Sequence, residues 1–285
     1  MHVDNDAIRT RCPLCKSDDI NQIGTLRYCG KVSFSSNEIE LRHRPELWKC
    51  RQCLSGFVQH TVDADTAKML YSTGQAGERW STTAFEQCKT RNVIDSMAAI
   101  FANKGRVLDV GCNTGELLDF AQSFGCRTSG VEYSSASREK LAGKGHLAYS
   151  IFEETQGDYD VIVAFDLLEH LYDVPAFLQG CRERLAETGR LAILTGDISS
   201  LSATLAGSRW WYAQYPEHIV FPSKIYFSDY SGLKIEKWIP TYASEGYRNS
   251  IAKTGWGLLK GILRGRAYTG LPALGPDHIL VVLSK

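Results

Sequence analysis

The stretch Val107-Leu-Asp-Val-Gly-Cys-Asn-Thr-Gly115-Glu-Leu-Leu118 decides the fold. Its first four residues are apolar apart from Asp109 and read as a strand ending at Val110. A turn with two glycines follows, and a helix begins near Glu116. Glycine lets backbone approach a ligand closely. A dinucleotide site would carry G-x-G-x-x-G, with amides gripping a pyrophosphate. Here the spacing is G-x-x-x-G, and a carboxylate, Asp109, precedes the first glycine. That acid disfavours an anionic ligand and suits one carrying an amine and hydroxyls. At the end of the next apolar run, Gly130-Val-Glu132 places an acid 21 residues after Gly111, where it can accept hydrogen bonds from a ribose diol.

Working outward, short apolar runs alternate with amphipathic stretches. Strands are expected at Arg106–Val110, Thr128–Glu132, Leu147–Tyr149, Asp160–Phe165 and Arg190–Leu194, with Leu233–Trp238 and His278–Ser284 in the tail. Helices are expected at Glu116–Phe124 and at Pro175–Ala186, where Phe177, Leu178, Cys181 and Leu185 share a face. This alternation predicts an α/β fold with a parallel, doubly wound sheet. The segment before it, 61–104, has helical apolar spacing at Val93, Ile94, Met97, Ile100 and Phe101 and reads as a helical connector. The domain of residues 105–285 is then interrupted twice, at 199–227, with Trp210, Trp211, Tyr212 and Tyr215, and at 239–277.

Residues 1–60 form a separate module. Cys12-Pro-Leu-Cys15 and Cys50-Arg-Gln-Cys53 are two CxxC knuckles with 34 residues between them. Four thiolates from two tight turns make a closed tetrahedral zinc site, structural rather than catalytic because no coordination position stays open. A β-ribbon is expected to fill the gap. Cys29, Cys88, Cys112, Cys126 and Cys181 read as ordinary buried thiols.

The pattern of Val107–Leu118 followed by Gly130–Glu132 resembles the class I S-adenosylmethionine-dependent methyltransferases, over about residues 65–285. The resemblance implies a Rossmann-like seven-stranded sheet whose last strand is antiparallel and inserted. It implies that Asp109, Gly111, Cys112, Asn113 and Gly115 surround the methionine part of S-adenosylmethionine, that Glu132 holds the ribose, and that Tyr133 and Phe152 pack against the adenine. The stretch Phe165-Asp-Leu-Leu-Glu-His170 follows the fourth strand, which puts Asp166 and His170 beside the cofactor.

A hydroxyl or carbon-acid acceptor needs a general base, and histidine is the fitting type. Tyr215-Pro-Glu-His218 supplies one: His218 as base, Glu217 to orient or charge-tune its ring, Tyr215 to donate to the acceptor, in an aromatic insertion expected to roof the cleft. With the four-cysteine module, this Tyr-x-Glu-His arrangement is similar to the sugar C-methyltransferases acting on nucleotide-linked ketosugars. Those enzymes carry a further large C-terminal domain, and no counterpart of it is expected after the last strand here. The expected acceptor is a sugar, nucleotide-linked sugar or related small metabolite, or a glycan.

Charge sharpens this. Lys and Arg together number 32, as do Asp and Glu, so the chain is neutral. That argues against bulk nucleic-acid binding, which leans on phosphate neutralisation. An RNA methyltransferase gripping RNA through the zinc module is the alternative enzyme, although no Asn-Pro-Pro-Tyr-like stretch is present. A non-catalytic cofactor-binding scaffold is the alternative outside enzymes. By segment, residues 1–60 carry +2, 61–200 carry −7 and 201–285 carry +5. The acidic middle suits a cofactor bearing a sulfonium and an ammonium. The basic tail has Lys253, Lys260, Arg264 and Arg266 interleaved with apolar residues, and suits a phosphorylated acceptor or weak contact with an anionic membrane surface. No apolar run is long enough to span a membrane, and the N-terminus lacks a secretory pattern, so a cytoplasmic location is expected.

Overall fold

A computed structural model describes residues 5–35, 37–73, 83–247, 256 and 273–285. Lys253, Lys260, Arg264 and Arg266 lie outside the described residues.

The N-terminal region is built of short strands: β1 (Ala7–Ile8), β2 (Ile20–Thr25), β3 (Gly30–Phe34), β4 (Asn37–Leu41), β5 (Glu46–Cys50), β6 (Gly56–Val58) and β7 (His60–Thr61). β3 and β4 form a hairpin, and β1 pairs with β7. β2, β5 and β6 form an antiparallel sheet, joined by a fourth strand from far along the chain, β13 (Val220–Phe221), through Val220↔Phe57 and Phe221↔Gly56. Strands β2 to β5 fill the 34-residue gap between the knuckles. Of the five other cysteines, Cys29 is exposed and Cys88 half-buried, against the expectation that all are buried. Helices Ala64–Thr73, Phe85–Cys88 and Arg91–Phe101 follow. The last buries Val93, Met97, Ile100 and Phe101 at helical spacing.

The larger sheet contains β8 (Arg106–Val110), β9 (Arg127–Val131), β10 (Leu147–Tyr149), β11 (Tyr159–Phe165), β12 (Leu185–Gly196), β14 (Lys234–Thr241) and β15 (His278–Ser284), in the order β10-β9-β8-β11-β12-β15-β14. Five strands run parallel, and β15 lies antiparallel between β12 and β14. Helix Glu116–Ser123 stands where the periodicity puts it, while Val174–Arg184 ends before Leu185, a residue expected on its apolar face that instead opens β12. The second starts on Asp173, whose side chain accepts from the Ala176 N–H, with Pro175 in the first turn. β12 begins five residues earlier than the apolar run indicates, because Leu185 pairs with Tyr159 across an irregularity in the ladder.

Alternate residues of each strand feed opposite faces. Leu108, Ile162, Ile193 and Val281 enter one core, while Val107, Val163, Leu194 and Val282 enter the other. A parallel sheet covered on both sides must be apolar on both, and this explains the near-continuous Val/Ile/Leu runs. The register also delivers the polar exceptions to one edge. Asp109, Glu132, Asp166 and, through Gly196↔His278, the first residue of β15 all sit at the carboxyl end of the parallel strands. That edge is where open α/β sheets take ligands.

Candidate active site

The loop after β8 is shaped by three residues with left-handed backbone: Gly111 (φ 77°), Asn113 (φ 48°) and Gly115 (φ 85°). A Cβ on Gly115 would stand 2.5 Å from Leu141 Cδ1, so both conformation and space demand glycine. Gly130 has another reason: a Cβ there would collide with Cys112 Sγ. The Cys112 side chain therefore belongs to the core on that face, with its thiol pushed up first by burial, and only its backbone can border a ligand.

Glu132 ties the two loops together. Its carboxylate accepts the Asn113 N–H at 3.1 Å and the Ser134 N–H at 2.8 Å. Burial raises its pKa, and these hydrogen bonds oppose the rise. Asp109 is buried and raised well above its ordinary value, first by burial and then by the charges of Glu116 and Glu132. Three carboxylates thus converge on a glycine-shaped cradle, an electrostatic demand that a cationic ligand relieves. The donor and acceptor set fits S-adenosylmethionine: carboxylates for the ammonium and sulfonium, and Glu132 oxygens for ribose hydroxyls. Tyr133 is 45% exposed beside this cradle. Phe152 is anchored on the helix Val174–Arg184, with Phe177 at 5.3 Å and the Arg184 guanidinium 4.5 Å over its ring. Asp166, also in left-handed backbone (φ 49°), is gripped by Lys89 Nζ at 2.7 Å. Burial pushes the Asp166 carboxyl up, but the charge and hydrogen bond of Lys89 hold it below its ordinary value. Lys89 lies 77 residues from Asp166, and nothing local in the sequence marks it.

Beyond this cradle stands a cluster of rings. His218 is buried. Its Nδ1–H donates to the Tyr212 carbonyl at 2.6 Å, leaving Nε2 as an acceptor. Burial, and then the neighbouring His170, lower its pKa to about 3. The His170 ring stands edge-on at 4.8 Å. A carbonyl only accepts, so His170 Nδ1 carries the proton, shared between Glu217 O at 3.0 Å and Tyr71 Oη at 3.1 Å. Fully buried Glu169 accepts from the hydroxyls of Thr195 (2.8 Å) and Tyr212. Glu169, His170 and His218 each bring one ligand atom within 4.8 Å of the others, a donor set able to take a divalent cation.

Glu217 does not orient His218. Its carboxylate turns to the N-terminal region and accepts the Ser35 N–H at 2.9 Å, while the Tyr212 carbonyl fixes the His218 ring. Its charge still favours the protonated form of His218. Nor is the aromatic insertion a free-standing roof. Trp210, Tyr212 and Tyr215 pack with Phe34, Leu47, Val58 and Leu70, and Tyr215 lies 6.1 Å from Tyr28. The reason is β13, which splices the insertion into the N-terminal sheet.

The four cysteines of the two knuckles do converge. Cys12 and Cys53 sulfurs are 3.6 Å apart, Cys15 and Cys50 sulfurs 3.5 Å, and all four lie within 4.8 Å of one another. A tetrahedral zinc with Zn–S of about 2.3 Å needs sulfurs about 3.8 Å apart. In the Cys12–Cys53 pair the shared hydrogen bond holds Cys12 up and Cys53 down, and burial raises Cys15. Four crowded thiols cannot all ionise without a cation among them, so the set fits a metal.

The methyltransferase-domain family matches residues 83–229. The ubiquinone biosynthesis O-methyltransferase of Rhodopseudomonas palustris (strain BisB5) is 31% identical over 110 residues, covering 35% of this chain and 44% of that protein. The protein of the same name from Bradyrhizobium diazoefficiens has the same identity and coverage. The chain thus spans less than half the length of these curated relatives. A solved structure of a SAM-dependent methyltransferase from Archaeoglobus fulgidus aligns with 68% of this chain and 92% of that one, at a TM-score of 0.47 and 16% identity. The match over residues 83–229 takes in the acid-lined cradle, Asp166 and the ring cluster up to His218, and by it the chain belongs to the methyltransferase-domain family.

Proposed function

We propose that the protein is an enzyme that moves the methyl group of S-adenosylmethionine to a hydroxyl or carbon of a small-molecule acceptor. The observation that carries this is the cradle of Asp109, Gly111, Asn113, Gly115 and Glu132, in which buried carboxylates above their ordinary pKa await a cation. When bound, S-adenosylmethionine supplies an activated methyl group, so the protein's task is alignment. Asp109 and Glu132 hold its charged and hydroxylated ends. Tyr133 and Phe152 flank the adenine.

The acceptor lies against the ring cluster. His218 presents a neutral Nε2 at physiological pH, fit to receive a hydrogen bond from the acceptor's hydroxyl and to act as its base, and His170 lines the same space. Tyr215 shapes this wall from within the aromatic cluster. The names of the relatives favour oxygen as the methylated atom of a small metabolite. A sugar or nucleotide-linked sugar remains the acceptor class drawn from the Tyr-x-Glu-His pattern, and a phosphorylated one suits the basic segment. Zinc in the four-cysteine site is structural and fixes the N-terminal module that buttresses the ring cluster.

Calorimetry tests the cofactor half: S-adenosylhomocysteine binds and NAD does not. Radiolabelled S-adenosylmethionine with small hydroxylated acceptors tests the other half. His218→Ala should cut turnover by about 100-fold or more with cofactor affinity nearly unchanged, in the range of a lost general base. Turnover within about tenfold of wild type removes His218 from that role.

A further inference from the structure

We propose that Asp277 and His278 form a second, carboxylate-backed imidazole of the acceptor site, and that His278 Nε2 takes the proton released by the acceptor. This rests on the methyltransferase reading above.

Asp277 and His278 are each 1% exposed; Asp277 immediately precedes β15 and His278 opens it. His278 Nδ1 donates to Asp277 Oδ1 at 2.9 Å. The other carboxylate oxygen is held by two indole donors, Trp210 Nε1 at 3.0 Å and Trp211 Nε1 at 2.5 Å. Asp277 is thus surrounded by donors and cannot rotate away. His278 Nε2 is buried and has no hydrogen-bond partner among the described residues. A buried ring nitrogen left with a bare lone pair is costly unless something arrives to use it.

Its position is that of the site. His278 pairs with Gly196 at the carboxyl end of β12, and the Tyr212 ring lies 4.4 Å from His278 and 4.4 Å from His218. Asp166, which Lys89 pairs, and Asp197, just after β12, are the carboxylates that interact with His278 besides Asp277. Among the described residues, the Tyr212 and Trp211 rings also stand against it, at 4.4 Å and 5.7 Å.

The two buried imidazoles differ in their support. His218 rests on a neutral carbonyl and faces His170, so a proton on it is opposed. A proton on His278 is balanced by a fixed carboxylate that also sets the tautomer, the logic of an acid–imidazole pair. The balance is simple. The sulfur–methyl bond of the cosubstrate breaks as the acceptor oxygen–methyl bond forms. The hydroxyl proton passes to His278 Nε2, S-adenosylhomocysteine leaves uncharged at sulfur, and the imidazolium returns its proton to water after product release. His278 is the base in this step in place of His218, which then only lines the acceptor wall, and Asp277 is a positioning residue.

The test uses the full chain, with catechol as hydroxyl probe and labelled S-adenosylmethionine. His278→Gln should lower kcat by about 100-fold or more, with the Kd for S-adenosylhomocysteine within about threefold. Asp277→Asn should lower kcat by at least about tenfold and move the acid limb of the pH–rate profile, a readout that a packing defect leaves in place. Nitrogen-15 histidine spectra should show the Nδ1–H tautomer for His278, with the Nε2 signal moving on addition of catechol. A His278→Gln variant within about threefold of wild-type kcat overturns the proposal, and so does an Nε2–H tautomer. If wild type binds S-adenosylhomocysteine yet methylates nothing, the methyltransferase reading fails. The spectra then decide the pair alone: the bare Nε2 shifted by catechol supports it, and an unshifted one overturns it.

Discussion

The proposed cofactor half and the proposed acceptor half of the site share one sheet edge but are built by different means. The first is made by adjacent loops after β8 and β9, with left-handed backbone at Gly111, Asn113 and Gly115 and a carboxylate clasp at Glu132. Its bonds span short stretches of chain. The second is assembled from four distant places. Tyr71 reaches His170 across 99 residues, Ser35 reaches Glu217 across 182, Trp211 reaches Asp277 across 66, and β6 pairs with β13. The lesson is one of dependence. The cradle stands on its own strand–turn–helix unit, whereas the ring cluster stands on the N-terminal module.

The sharpest way to break this comparison is to damage that module. If the four cysteines hold the proposed zinc, Cys12→Ser or a chelator should remove it and loosen the sheet that carries β13. Structural zinc sites are worth on the order of 10 kcal/mol in small modules, so the local effect is large. Turnover should fall by about 1000-fold or more, while S-adenosylhomocysteine affinity stays within about tenfold. Elemental analysis of wild type and calorimetry of the variant check both. Equal loss of binding and turnover would show that the halves are not separable.

Next in size is a cut on the other side. Glu132→Ala removes the acceptor for two backbone N–H groups, Asn113 and Ser134, and the proposed partner of the ribose hydroxyls. Buried donors left unmade cost about 1–3 kcal/mol. Cofactor affinity should weaken by about 100-fold, with kcat at saturating cofactor kept within about threefold. Calorimetry that finds unchanged affinity would sink the assignment of Glu132.

The same contrast explains what the sequence discloses. β8, β10 and β15 begin and end where the apolar runs do, and the Asp109–Glu132 constellation is readable because its members are close in sequence and their backbone needs glycine. Cys112 sits in the same run, but its direction is invisible there, since the space it fills is made by Gly130 on the next strand. Lys89, Tyr71 and Ser35 are ordinary residues in sequence, made significant only by contacts 77 to 182 residues away. The Asp277-His278 dipeptide at the start of the last strand is a further local signal of the proposed acceptor half beyond Tyr215–His218. It becomes meaningful once β15 is inserted beside β12, which brings it to Gly196.

The smallest effect, and the finest discrimination, is in pH. Asp109 and Glu132 are raised in the empty cradle, the first by burial and by the charges of Glu116 and Glu132, the second by burial. A bound cation favours their ionised forms, so cofactor binding releases protons. Affinity for S-adenosylmethionine should therefore strengthen as pH rises from the ordinary carboxylate range, about 4, through the raised values, and level off above them. His218 has the opposite shift, down to about 3, and stays neutral across this window. It adds no slope to acceptor binding there. Calorimetry in buffers of different ionisation enthalpy measures the protons released directly. Release on cofactor binding with none on acceptor binding to the cofactor-loaded protein would show that carboxylate burial governs one half and imidazole burial the other. A flat cofactor profile between about pH 5 and about pH 8 would mean that the carboxylates are already ionised in the empty cradle. The acidic wall would then attract the cation without any proton being displaced.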